Sequence, residues 1–431
     1  MNKKQKSILF AFLTVIILGV CLLFIPSIWS RVSYHATDLY GKVKYALFPP
    51  ENALFVPGKS TADPLVETAA HATLAAMATS TPLPTATVQQ ITPTPTNTPI
   101  PLPSKAYISG VKQEMEEWNN CGPATLSMYL SYWGWVGTQD DIAPIVKPNS
   151  RDKNVMPYEL EDFLVSNTDF MDVIRIGGDM QTLKALVANG IPVMIEKGFS
   201  TADQGWMGHY ELVVGYDDEK GEFQTQDSYL QISQPNAKYF SITYDDFYQN
   251  WRAFNFVFLV VFPQSKQNDV MNLLGPLWNE TDAFQIALNR AITDSSTLTD
   301  PRDIFFAYFN MGSSYVKQQD YKDAATAYDI AFMKLPTISS ELRPWRMMWY
   351  QTGPYYAYYY TGRYQDVIDL ATTTLNAMSE PVLEESYYWR GLSESSLGNT
   401  DAALIDLRKS NEVHPNFGPA VAALGQMGVT P

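Results

Sequence analysis

Trp118-Asn119-Asn120-Cys121-Gly122-Pro123-Ala124-Thr125 decides the fold. It holds one of the two cysteines in the 431-residue chain, and the other, Cys21, lies inside an apolar N-terminal run. The residues that follow, Ala124 to Trp133, have helical length and good helix formers, and Gly134 supplies a stop. Asn120 is expected to cap this helix through its side-chain oxygen, and Pro123 suits a first turn, where its missing N–H costs nothing. Cys121 thereby stands at a helix N-terminus, where the dipole favours an anion and hence a thiolate. The competing reading makes Cys121 a small buried hydrophobe.

Histidine separates the two readings. His35 and His71 fall in linker-like sequence and His414 ends a helical segment, which leaves His209. The run His209 to Tyr216 (HYELVVGY) reads as a strand, Asp217 to Gly221 as a turn, and Phe223 to Tyr229 as a returning strand carrying Asp227. Folded as a hairpin, these strands bring His209 and Asp227 together within about one residue of register. A carboxylate beside a histidine fixes its tautomer and stabilises the imidazolium, the third role in a Cys-His-Asp triad.

The elements NNCGPATLSMYL, GIPVMI (Gly190 to Ile195), GHYELVVGYDD and QDSY (Gln226 to Tyr229) occur in that order. Together they resemble the papain-like cysteine peptidases related to bacteriocin-processing, double-glycine-cleaving domains. The resemblance covers roughly residues 105 to 263. It implies an α+β papain-like fold and a site ordered Gln, Cys, His, Asp. In this chain these are Gln113, Cys121, His209 and Asp227, with Gln113 donating to the oxyanion.

Outward from this stretch, Thr138 with Asp141 caps a short helix, and Pro157 opens another that runs to Val165. Asp179 caps a helix from Met180 to Asn189, and Ile191 to Glu196 reads as a strand. Lys197 to Gly208 is expected as a polar loop leading into His209, with Trp206 either lining the cleft or packing the domain. Trp251 to Phe262 is expected as a buried closing strand.

Ser7 to Ser30 carries no charged residue and is long enough to cross a bilayer, so residues 1–30 are expected to be a retained single transmembrane helix. Residues 31–104 are expected as a stalk. Thr81 to Pro103 is rich in proline and threonine and suits neither helix nor central strand. Such stalks resemble those of bacterial cell-surface proteins, which places the bulk of the chain outside the membrane. The formal charge of -15 argues against nucleic acid as a partner, because phosphate would be repelled. The hydrophobic fraction of 46% is that of a globular protein.

Beyond the peptidase-like region, assigned to residues 105–265, the period changes. Tyr308, Met311, Gly312, Tyr315, Ala324, Tyr328, Ala331 and Pro336 fit the tetratricopeptide-repeat pattern. Tyr387, Gly391, Ala403, Leu407 and Pro415 give a second match. Tyr358 to Thr374 supplies a degenerate copy, and Thr281 to Ile292 half of an earlier one. Residues 266–431 thus resemble an all-α tetratricopeptide-repeat solenoid, whose concave face would bind a protein or peptide partner. The tyrosines at 355, 356, 358, 359 and 360 either line that face or act as knobs between helices.

The expected function is a membrane-anchored, extracytoplasmic cysteine peptidase acting on a peptide or protein. Two alternatives keep the same fold: an inactive papain-like binding scaffold, and a thioester-forming acyltransferase or amidase. No metal and no cofactor are expected, since the sequence shows neither a ligand cluster nor a Gly-rich phosphate loop, and no nucleotide is expected as a partner.

Overall fold

The computed structural model describes residues 39–58, 101–201 and 205–430. The expected membrane anchor and the Pro/Thr-rich run up to Ile100 lie outside the described residues. Among the described residues, no helix is long and apolar enough to cross a membrane.

One half of the molecule is built on a seven-stranded antiparallel sheet. Its strands are β1 (Lys105–Tyr107), β2 (Phe170–Arg175), β3 (Val193–Thr201), β4 (Gly205–Asp217), β5 (Glu222–Gln226), β6 (Phe240–Thr243) and β7 (Phe258–Pro263). The order is β2-β7-β3-β4-β5-β6, with β1 paired to β4. Strand β4 owes its length to a near-continuous apolar run, Leu212-Val213-Val214, buried on both faces. Helix α1 (Cys121–Tyr132) packs across β4, and buries Leu126, Tyr129 and Leu130 in the same core as Val213, Tyr216 and Val260. Helices α2 (Gln139–Val146), α3 (Pro157–Asn167) and α4 (Met180–Ala188) complete this half. The capping box at Thr138 and Asp141 and the cap by Asp179 on Thr182 both form.

Two sequence expectations are corrected here. Lys197 to Gly208 is not a polar loop: β3 and β4 pair through it, from Val193 opposite Val213 to Thr201 opposite Gly205. Lys197 is buried in ion pairs and so does not need water. Gly198 and Gly208 face each other, and a Cβ at either would strike Trp206, or Phe254 and Tyr350. Trp206 packs in the core, stacked on Phe254 at 6.0 Å. Likewise Trp251 belongs to helix α5 (Tyr244–Arg252), not to the closing strand. The chain then turns through Asn255 and Phe256, both with positive φ, before β7 begins. Asn255 is held there by Asn310 O at 3.2 Å and Ser314 Oγ at 2.9 Å.

The other half is helical. After α6 (Gln267–Leu274) and α7 (Glu280–Thr297), antiparallel pairs follow: α8 (Pro301–Lys317) with α9 (Tyr321–Lys334), α10 (Gly353–Tyr360) with α11 (Tyr364–Ala377), and α12 (Glu384–Ser396) with α13 (Thr400–Val413). At Gly312 a Cβ would lie 2.7 Å from the Tyr328 ring, which is why the first pair needs glycine there. Tyr355 and Tyr358 are buried knobs between helices, whereas Tyr356 and Tyr360 are exposed.

The halves share apolar cores across residue 265. Val270, Leu274, Leu277 and Ala283 bury with the sheet half, and Trp206, Ala253 and Phe254 bury with Phe306, Tyr328 and Tyr350 of the helices. Residues 39–58 are no free spacer either. Phe55 is buried against Phe332 and Tyr358, and Arg343 donates to Glu51 O at 2.9 Å. An aromatic side chain within a short docked segment is enough to hold it there.

Candidate active site

Helix α1 begins at Cys121, as the sequence predicts, but Asn120 does not cap it through its side chain. Its amide donates instead to Gln139 Oε1 at 3.1 Å. Gln139 is the organiser of this corner, since it also donates to Glu114 Oε1 at 3.0 Å and Met115 O at 2.7 Å and accepts from Glu117 N at 2.8 Å. A buried amide that satisfies three segments of one loop fixes the approach to the cysteine. Asn119 takes positive φ and donates to Asp152 O at 2.8 Å, while Lys147 donates to Trp118 O and Asn119 O. The end of α1 therefore carries no side-chain acceptor at its cap, which leaves its dipole directed at Cys121.

His209 and Asp227 meet as expected, with Nε2 3.0 Å from Oδ1. The register differs from a simple two-strand pair: β5 ends at Gln226 opposite Leu212, and Asp227 lies just past it in a turn. Asp227 Oδ1 also accepts from Tyr229 N and Leu230 N at 3.0 and 2.9 Å. Nε2 is taken by Asp227, which leaves Nδ1 as the nitrogen free to serve Cys121, and Cys121 helps to raise the pKa of the ring. The ring is buried and bounded edge-on by Phe199 at 5.4 Å and Tyr229 at 6.2 Å.

The sequence reading missed Lys197 and Glu211. Lys197 stands directly across from His209 on β3, and its ammonium lies 2.5 Å from Glu211 Oε2 and 3.4 Å from Asp227 Oδ2. Period-2 alternation could have found this pair, because His209 and Glu211 share a face of β4. The electrostatics follow from the arrangement. Burial opposes ionisation of Asp227, but the His209 and Lys197 charges and the Leu230 N–H hold its carboxyl well below the usual carboxylate range. Burial likewise opposes charge on His209, yet Asp227, Cys121 and Glu116 push its pKa well above the ordinary imidazole value. The charged imidazolium therefore belongs to the folded state.

Gln113 is placed differently from the resemblance. Its amide donates to Gln226 Oε1 at 2.9 Å and to Ala237 O, so both of its visible bonds tie the loop to β5 and the turn after it. The side chain beside the imidazole is Glu116, whose Oε2 lies 3.9 Å from Nδ1 and accepts from Ser228 Oγ at 2.7 Å. Burial pushes the Glu116 carboxyl up, against the lowering by His209 and the Ser228 hydroxyl.

Residues 105–258 match the Peptidase_C39 like family. A crystal structure described as a C39-like peptidase from Bacillus anthracis is similar at 16% identity, over 37% of this chain and 98% of that one, with a TM-score of 0.29. No curated protein matches the chain.

Proposed function

We propose that this protein is a cysteine peptidase that cleaves peptide bonds through Cys121, His209 and Asp227. The observation that supports the reading is a buried imidazole 3.0 Å from Asp227 whose pKa is raised by Asp227 and by Cys121, the first residue of α1. His209 takes the thiol proton, and the thiolate attacks the carbonyl carbon. His209 then returns that proton to the leaving amine, and water releases the acyl group. Asp227 orients the ring and stabilises the imidazolium, and Lys197 keeps Asp227 ionised. The Cys121 backbone N–H is one oxyanion donor.

For the second donor we favour Glu116 over Gln113, since Gln113 is committed to Gln226 and Ala237. A carboxyl group donates only when protonated, and burial pushes Glu116 toward that form while His209 and the Ser228 hydroxyl oppose it. The N-terminal run is read as an anchor that holds the catalytic part outside the membrane. The helical pairs are read as tetratricopeptide repeats that bind a protein or peptide, an assignment supported by Gly312 against Tyr328 and by Gly391, whose Cβ would lie 3.0 Å from Leu407.

The test is cleavage of a peptide library followed by mass spectrometry. Cys121→Ser and His209→Ala should each lower turnover by about 10⁴-fold or more, because they act as one unit. Asp227→Asn should leave a measurable remainder. A fully active His209→Ala protein would sink the triad.

A further inference from the structure

The junction of the two halves holds a second cluster of titratable groups, about which the proposed peptidase mechanism says nothing. Asp152, in the loop between α2 and α3, and Glu159, in the first turn of α3, come from the sheet half. Glu384 and Glu385 open α12, and His414 follows the end of α13. All four carboxylates are buried. His414 Nδ1 lies 3.1 Å from Glu384 Oε1 and 3.8 Å from Glu159 Oε1. Donor atoms of Asp152, Glu384 and His414 all fall within 4.8 Å of one another.

Several of these oxygens are already used. Asp152 Oδ1 accepts from Lys153 N at 2.6 Å, Glu159 Oε2 from Met156 N at 2.7 Å, and Glu385 Oε1 from Tyr158 OH at 3.2 Å. Glu384 Oε2 is different: it is enclosed in a residue only 3% exposed and has no hydrogen-bond partner at all. An ionised carboxylate oxygen left so costs several kcal/mol unless a cation meets it. The nearby protein cations are turned elsewhere. Lys147 donates to the 118–119 carbonyls, and Arg151 and Lys153 pair with Glu380.

We propose that Asp152, Glu384 and His414, with Glu159 beside them, bind a divalent metal ion, Zn²⁺ or Mn²⁺, that clamps the sheet half to the helical half. Neighbouring ligands on a tetrahedral ion with bonds of about 2.0–2.1 Å stand about 3.3 Å apart. The 3.1 and 3.8 Å separations around His414 Nδ1 bracket that value; the shorter is a hydrogen bond to Glu384 Oε1 that the ion would replace. An imidazole among carboxylates favours Zn²⁺ or Mn²⁺ over Ca²⁺, which takes oxygen ligands at longer range. The ion also reaches the cysteine loop, because Asp152 O holds Asn119, two residues before Cys121. The sequence shows no ligand cluster because two donors precede residue 160 and two follow residue 383, and only folding gathers them.

The experiment uses the full chain, stripped with a chelator and dialysed. Titrated with Zn²⁺ or Mn²⁺, it should retain about one ion per chain by mass spectrometry and melt a few degrees higher. Glu384→Gln and His414→Ala should lose both the ion and the shift. No uptake by the wild-type chain would overturn the proposal, as would equal uptake by both variants or a response to Ca²⁺ alone. The wild-type measurement decides the matter even if a variant fails to fold. It also reads independently of turnover, so a failed peptidase assay leaves it standing.

Discussion

Beside His209, two cations and two carboxylates close on one another: Lys197 bridges Glu211 and Asp227, and the imidazolium completes the set. At the junction, Asp152, Glu159 and Glu384 gather around a single imidazole, and one oxygen of Glu384 has no hydrogen-bond partner. Both clusters are largely buried, and each touches the loop before Cys121, the first at Glu116 and the second at Asn119. The difference teaches that burial alone does not define a site. The charges of the first cluster are balanced by side chains that the sheet register places opposite each other, although Glu211 Oε1, like Glu384 Oε2, has no hydrogen-bond partner. The second is balanced only by something the chain does not itself carry.

That contrast can be broken first at Lys197. Lys197→Met would leave Glu211 and Asp227 buried beside a lone imidazole, and should cost about 3–5 kcal/mol in urea denaturation. Loss below 1 kcal/mol would mean that Lys197 balances nothing. Stability at this cluster also has a sign. The His209 contribution is fully present below its unfolded pKa and fades as pH rises through its raised folded value. Asp227 works the other way. Its contribution is present above the unfolded carboxylate value and is lost as pH falls through its depressed folded value.

Glu116 sharpens the comparison, because burial outweighs its neighbours and raises its pKa, whereas Asp227 ends lowered. Glu116→Ala should lower the rate by roughly 100- to 1000-fold, the usual loss of one oxyanion donor. Wild-type turnover should fall as pH rises through the raised Glu116 pKa, and Glu116→Gln should abolish that limb, since an amide donates at any pH. Identical pH profiles for wild type and Glu116→Gln would remove Glu116 from the reaction. The smallest effect is expected at the junction. Glu385→Gln keeps an acceptor for Tyr158 and removes one like charge, so the chelator-stripped chain should gain about 1 kcal/mol in the same denaturation assay. Destabilisation would show that Glu385 is not held against its neighbours.

Local chemistry carried much of this fold. The cysteine helix, the cap at Asp179, the hairpin that joins His209 to Asp227 and the helical pairs after residue 300 all rest on periodicity and capping, which a sequence displays. The failures have one cause. Lys197 to Gly208 reads as polar loop because its lysine finds partners only across strands, and its glycines make room for Trp206, Phe254 and Tyr350 from elsewhere. Asn120 reads as a cap until Gln139 takes its amide.

The sequence by itself determined which residue types could do the chemistry and on which elements they stand. Tertiary structure decided their partners. It tied Gln113 to Gln226, set Glu116 against the imidazole, made one apolar core of segments on both sides of residue 265, and brought Asp152 and Glu159 to Glu384 and His414. The physical reason is range. Caps and periodicity act over one to four residues, whereas burial and charge pairing act through space, between groups whose separation along the chain carries no information about their distance.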